Sequence, residues 1–280
     1  MAWIDLVLNL AGVLLWLNWR AVGVARSMPP PGVSILSNLR SAGPRRTKRW
    51  PSLVGLVLLI VLRTPAYQHM GSALSWTAKL DLGVVTLPFS SEFSGRTLLF
   101  SVLSFGLALA MFYSWLLFFS ILHHRRPDSD LWLTQIRLHL GVVERWPLAL
   151  KLALIPCVAF AAWCALSPLA EAMSLIPAAP SFALRIQQGM VLGLASFLSW
   201  KYPILAVLAA YLLNTYVYFG TRPVWHFVQI TATRILVPLR WMRLRTRRID
   251  ITPVVAIVLV WLIARYAVPG LLRVYQTLPF

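Results

Sequence analysis

Few residues in this chain have the types and spacing that chemistry needs. Eight of its 280 residues are Asp or Glu, and within the apolar stretches only Asp5 occurs, so no two carboxylates are placed together for general acid–base work. The five histidines, His69, His123, His124, His139 and His226, fall in expected loops or surface helices. Solvated side chains are a simpler reading for them than a metal or haem site. Cys157 and Cys164 stand seven apart on one face of an apolar run, without Cys-x-x-Cys or metal-ligand spacing, and read as small packed residues. There is no Gly-rich phosphate loop, and the serines lack a nucleophile-elbow context. Lys151 and Lys201 come nearest the membrane interior; both read as anchors at the interface, and Arg63 as a side chain that snorkels there. No catalytic, cofactor-binding or metal site is expected, and no enzyme.

The informative stretch runs from Thr221 to Leu262. Val224/Trp225, Val228, Ile235/Leu236 and Leu239 recur at helical spacing, which predicts an amphipathic helix lying along a surface. Arg240, Arg243, Arg245, Arg247 and Arg248 then place five cations within nine residues. Thr252 followed by Pro253 reads as a helix start, with Thr252 capping the first amides and Pro253 lacking the N–H that would go unsatisfied. Asp250, beside the arginines and that cap, has two readings: a charge pair that also stabilises a helix N-terminus by about 0.3–1 kcal/mol, or part of a partner-docking site.

These elements belong to a membrane protein. The chain is 59% hydrophobic and 12% charged, with mean hydropathy +0.73, whereas a soluble domain carries about a quarter charged residues. The net charge of +18 could suggest nucleic acid. The cations, however, cluster between apolar runs, which is the topology signal of membrane proteins. Span one is expected from about Trp3 to Trp19, as a retained helix without a basic leader region or cleavage site. An acid-free basic loop, Arg20 to Arg49, follows. Span two is expected over Pro51 to Pro65, and a mixed loop over 66–96 whose apolar part lies on or dips into the membrane. Span three covers Thr97 to Leu122. A second amphipathic surface helix is expected from Leu131 to Arg145, with Trp132/Leu133, Ile136, Leu140 and Val143 on its apolar face and Arg137, Gly141, Glu144 and Arg145 opposite. Trp132, Leu133 and Ile136, like Trp225, Val228 and Ile235 of the other helix, are expected to sink into the headgroup boundary. Trp146-Pro147 opens span four, to about Leu166, and 167–187 is expected to be a loop. Span five, Gly189 to Phe219, is interrupted at Trp200-Lys201-Tyr202-Pro203, either as a kink or as a flat segment before a shorter span. Span six starts at Pro253 and runs to about Ala267. The positive-inside rule then puts the basic loops at 20–49, 123–146 and 220–250 in the cytoplasm and both termini outside.

An internal repeat emerges: span, surface helix, basic turn, Pro-started span, twice. Leu131-Trp132 with Gln135-Ile136 echoes Val224-Trp225 with Gln229-Ile230, one residue out of phase. The second unit resembles the YggT family of integral membrane proteins. Arg222-Pro223 stands at the helix exit, Thr231-Ala232-Thr233 at the Thr-Glu-Pro-like step, Pro238-Leu239-Arg240 at the Pro-x-Arg pair, and Asp250-Ile251-Thr252-Pro253 at the Asp-x-Ser-Pro helix start. Thr252 replaces Ser, and the first unit lacks that start. The expected fold is therefore all-α, with six spans: a two-span extension (1–96), a degenerate first repeat (97–187) and a second repeat (188–280). The resemblance implies a non-enzymatic scaffold or assembly and organisation factor, in a bacterial inner (plasma) membrane. A channel or transport component for osmotic or ion homeostasis is the alternative. The expected partners are the bilayer, its anionic lipids and an unspecified membrane protein, not nucleic acid directly; self-association is left open. Trp132, Trp225, Arg243, Arg245, Arg247 and Arg248 are the expected lipid- or partner-docking residues.

Overall fold

The computed structural model describes residues 2–27, 50–74, 77–89, 93–124, 131–176, 181–217, 222–242 and 251–277. The described chain is helical except for one short hairpin. Helices α1 (Ala2–Ser27) and α2 (Trp50–Leu74) precede strands β1 (Ala78–Asp81) and β2 (Thr86–Phe89), which pair with each other. Then come α3 (Ser94–Leu122), α4 (Leu131–Leu140), a 3-10 segment (Gly141–Arg145) and α5 (Leu148–Ala172). Helix α6 (Phe182–Ala195), a 3-10 segment (Ser196–Trp200) and α7 (Lys201–Tyr216) follow. The described chain closes with α8 (Pro223–Ile235), a 3-10 segment (Val237–Met242) and α9 (Thr252–Thr277). Among the described residues five helical stretches are long and apolar enough to cross a membrane: Trp50–His69, Ser94–Leu122, Leu148–Ala172, Phe182–Tyr216 and Thr252–Thr277.

The chain divides into two compact units, one of residues 1–78 and 89–110 and one of residues 79–88 and 111–280. In the first, α1 and α2 pack together, and α1 closes on the start of α3 at Gly12. A Cβ there would lie 2.9 Å from the ring of Phe105. Tyr67, Phe89 and Phe100 form its aromatic core.

In the second unit, Val207 and Leu208 of α7, Ala232 and Leu236 of α8 and Ala256 of α9 form one core cluster. Trp163 of α5 with Leu192 and Ala195 of α6 forms another, which Val84 of the hairpin tip joins. The hairpin turns at Gly83, whose φ of 88° suits glycine, and the carboxylate of Asp81 accepts its amide.

Several expected boundaries move. Span two does not stop at Pro65, span four at Leu166 or span six at Ala267; α2, α5 and α9 run on through Pro65, Pro168 and Pro269. Membrane helices tolerate an interior proline because neighbours and local adjustments re-satisfy the carbonyl it frees, which for Pro65 is that of Val61. Separately, the Ser101 hydroxyl of α3 ties to α2 by donating to the Ile60 carbonyl, 3.0 Å away. The loops expected at 66–96 and 167–187 are largely taken up by the C-terminal turns of α2, the hairpin, and the ends of α5 and α6. The basic loop expected from Arg20 begins no earlier than Ser27, where α1 ends. The interruption in span five is a 3-10 break inside one helical run. The indole of Trp115 donates to the Ser199 carbonyl there (3.1 Å), and that of Trp200 to Ser114 Oγ (3.0 Å).

Candidate functional site

Charged side chains buried among apolar helices are rare and by default mark a site. The structure builds one such cluster in each unit.

In the first unit Arg63, thirteen residues into α2, is 3% exposed. Its guanidinium is spent on neighbours. Nη1 donates to Asn9 Oδ1 (2.8 Å), Nη2 to Asp5 Oδ1 (2.7 Å) and Ser104 Oγ (3.3 Å), and Nε to the Tyr67 hydroxyl. Tyr67 in turn donates to Asp5. Asp5 and Asn9 stand one helical turn apart on α1, and Arg63 and Tyr67 one turn apart on α2, so each pair shares a face. The planar fork of arginine suits several acceptors at once. Arg63 does not snorkel to the interface; it locks α1, α2 and the start of α3 together.

In the second unit Lys151, in the first turn of α5, is fully buried. Its Nζ lies 3.2 Å from Glu144 Oε2 and donates to Ser120 Oγ at 2.9 Å. Ser120 donates to the same carboxylate oxygen. Glu144 Oε1 faces Arg137 Nε at 3.4 Å, and Arg137 Nη2 donates to the His123 carbonyl. Glu144 lies in the 3-10 segment after α4, so the cluster pins that turn to α3 and α5. Lys151 is therefore no interfacial anchor. His123 is not a solvated side chain either: it is 1% exposed, its ring stacks on Phe227 at 5.8 Å, and Nδ1 lies 3.0 Å from the Phe119 carbonyl.

The two expected surface helices meet. Phe227 of α8 contacts Trp132 of α4, with ring centroids 6.5 Å apart, and Phe119 of α3 at 5.6 Å. Trp132 is 44% exposed, but Leu133 (2%) and Ile136 pack inside the protein with Leu117 and Leu140. That corrects the expectation that Leu133 and Ile136 sink into headgroups along with Trp132. A short amphipathic helix can bury its apolar face against protein as readily as against lipid. Trp225, Val228 and Ile235 are half-buried, and Ile235 packs on the α7–α9 core. Pro238 is exposed, and Arg240 falls within the 3-10 segment after α8. Thr252 is the first residue of α9 and Pro253, buried, the second; the Val255 amide donates to the Ile251 carbonyl. Arg243, Arg245, Arg247, Arg248 and Asp250 lie outside the described residues.

Sequence reasoning missed both clusters. The signal for the first was present: Asp5 and Asn9 at i, i+4 in one apolar run, and Arg63 and Tyr67 at i, i+4 in another. For the second, the helical spacing puts Arg137 and Glu144 on one polar face, but nothing in it points to Ser120 or Lys151 as their partners.

The five long apolar helices define an integral membrane protein. Compared with protein-family models, with curated proteins and with solved structures, the chain matches none.

Proposed function

We propose that this protein is a non-enzymatic membrane scaffold, an assembly or organisation factor of the YggT type, that offers a basic cytoplasmic platform for docking. The observation that carries this reading is the packing of α4 on α8 through Phe227. It brings together the two helices that precede the expected basic turns, which supports a single shared docking face. The order helix, 3-10 segment, Pro-started long helix occurs twice, at 131–172 and 223–277, which supports the repeat. Helix α1 supplies the sixth crossing, with both termini outside the cytoplasm. Trp132 and Trp225 sit at the headgroup boundary, and Arg243, Arg245, Arg247 and Arg248 reach anionic lipid, each contributing about 1 kcal/mol.

The transport reading draws on a different observation, the charges of Asp5, Arg63 and Lys151 within apolar helices. Each of these is held by fixed partners rather than facing a path, which favours the scaffold. The deciding experiment reconstitutes the protein in vesicles with and without phosphatidylglycerol. It compares the wild type with a variant carrying Arg→Gln at 243, 245, 247 and 248, and reads retained lipid by native mass spectrometry and ion flux by a trapped dye. Retention of anionic lipid that the variant loses, with flux equal to protein-free vesicles, is expected. Protein-dependent flux would replace the scaffold by a channel, and unchanged lipid retention would remove the platform.

A further inference from the structure

The seam between α5 and α6 carries polar groups that the two clusters above do not use. Its register follows from two close approaches. A Cβ on Gly193 would lie 2.9 Å from the Pro156 carbonyl oxygen, and one on Gly189 would lie 2.9 Å from the Phe160 ring and 3.5 Å from Cys164 Sγ. Falling numbers on α6 meet rising numbers on α5, so the helices run antiparallel. On the neighbouring stripe of α5, Trp163, Ser167 and Glu171 follow at i, i+4 and i+8 and so share one face, and both ends of that face meet α6. At one end Arg185 Nη2 donates to both Glu171 oxygens, at 2.9 and 2.8 Å. At the other, Trp163 and Leu192 share one core cluster.

At each of these three levels a polar atom is buried without a partner: Trp163 Nε1, Ser167 Oγ and Arg185 Nε. Trp163 and Ser167 are 5% and 1% exposed, and Gln188 is buried as well. Unpaired polar atoms inside a membrane protein are costly, and three on successive turns of one seam call for a common occupant. Charge and spacing say what it is. Glu171 already neutralises Arg185, so the seam attracts no further ion. Trp163, Ser167 and Glu171 are spaced one turn apart, about 6 Å along the helix. Two hydrogen bonds through one water span about 5.6 Å, and buried waters sit where otherwise unsatisfied polar groups converge.

We propose that α5 and α6 enclose a file of ordered waters, entered at the partly exposed Glu171–Arg185 pair and ending at the Trp163 indole. The file reaches about 12 Å along α5, eight residues at about 1.5 Å each. It makes this seam a hydrated crevice with water as its ligand.

The test uses full-length protein with 15N-labelled tryptophan in detergent micelles. The Trp163 indole signal is assigned by its loss in Trp163→Phe, and its N–H is expected to show a magnetisation-transfer cross-peak to water. Melting of Ser167→Ala supplies an independent sign. A bridged hydroxyl stabilises, so its removal lowers the melting temperature by several degrees; an orphan hydroxyl in a dry seam destabilises, so its removal raises it. No water cross-peak at Trp163, or a Ser167→Ala variant as stable as the wild type or more so, would overturn the crevice. Should Trp163→Phe not fold, the Ser167→Ala melting result decides alone.

Discussion

Consider the two ways of breaking the Glu144–Lys151 pair. At 3.2 Å the charges attract by about 5 kcal/mol at an effective dielectric of about 20. Removing one partner from a buried pair costs about 3–5 kcal/mol, chiefly because the other charge stays buried. The pair is not symmetric. The Lys151 side chain is fully buried, whereas that of Glu144 is 17% exposed and keeps Arg137 and Ser120. Glu144→Gln therefore strands an ammonium with only dipoles around it, and is expected to cost about 3 kcal/mol or more. Lys151→Met leaves a carboxylate that still has a cation, a hydroxyl and some water, and is expected to cost at most about 2 kcal/mol. The double variant should be more stable than the sum of the two losses, because neither charge remains. Equilibrium unfolding in mixed micelles, titrated with dodecyl sulfate, measures all four forms. If Lys151→Met proved as damaging as Glu144→Gln, the stranded-charge account would be wrong and shape alone would explain the site.

Arg63→Lys keeps the charge but offers one nitrogen where three now reach Asn9, Asp5, Ser104 and Tyr67; the same unfolding titration should show a loss of about 1–3 kcal/mol. Gly193→Ala drives a Cβ against the Pro156 carbonyl and should cost about 1–3 kcal/mol, while Gly270→Ala, with open space around it, should melt like the wild type. For topology, single cysteines replacing Trp3 or Leu278 should react with an impermeant thiol reagent on intact cells and one replacing Leu244 should not; labelling at 244 would invert the orientation.

What the sequence disclosed was governed by length and periodicity. The apolar runs around Leu58, Ala108, Phe160, Val207 and Leu259 each became a long helix, because about twenty apolar residues have few alternatives. Helix ends were read poorly, since proline is a stop signal in water but Pro65, Pro168 and Pro269 all stand inside helices here. The charged residues were misjudged for a related reason. A lone Arg63 or Lys151 in an apolar run has two outcomes, reaching the interface or meeting a partner, and the choice rests on side chains far away in sequence. Asp5 lies 58 residues from Arg63, and Ser120 lies 31 from Lys151. Nor does an amphipathic pattern say which medium its apolar face meets: the spacing of Leu133 and Ile136 suits a lipid surface, yet both pack in the protein.

Gly189 and Gly193 stand four apart on α6, the spacing at which helices in lipid approach most closely. In this chain that notch is filled from within by Phe160 and Pro156. A peptide cut to α6 alone would expose it and self-associate in a bilayer, reporting a dimer contact that the parent molecule has no means of making. Biosynthesis works in the same direction. The ribosome delivers α5 before α6, so the intramolecular mate is waiting in the membrane when the notch arrives, at an effective concentration that no second molecule matches. Homotypic association deduced from isolated fragments of this protein would therefore describe the fragments.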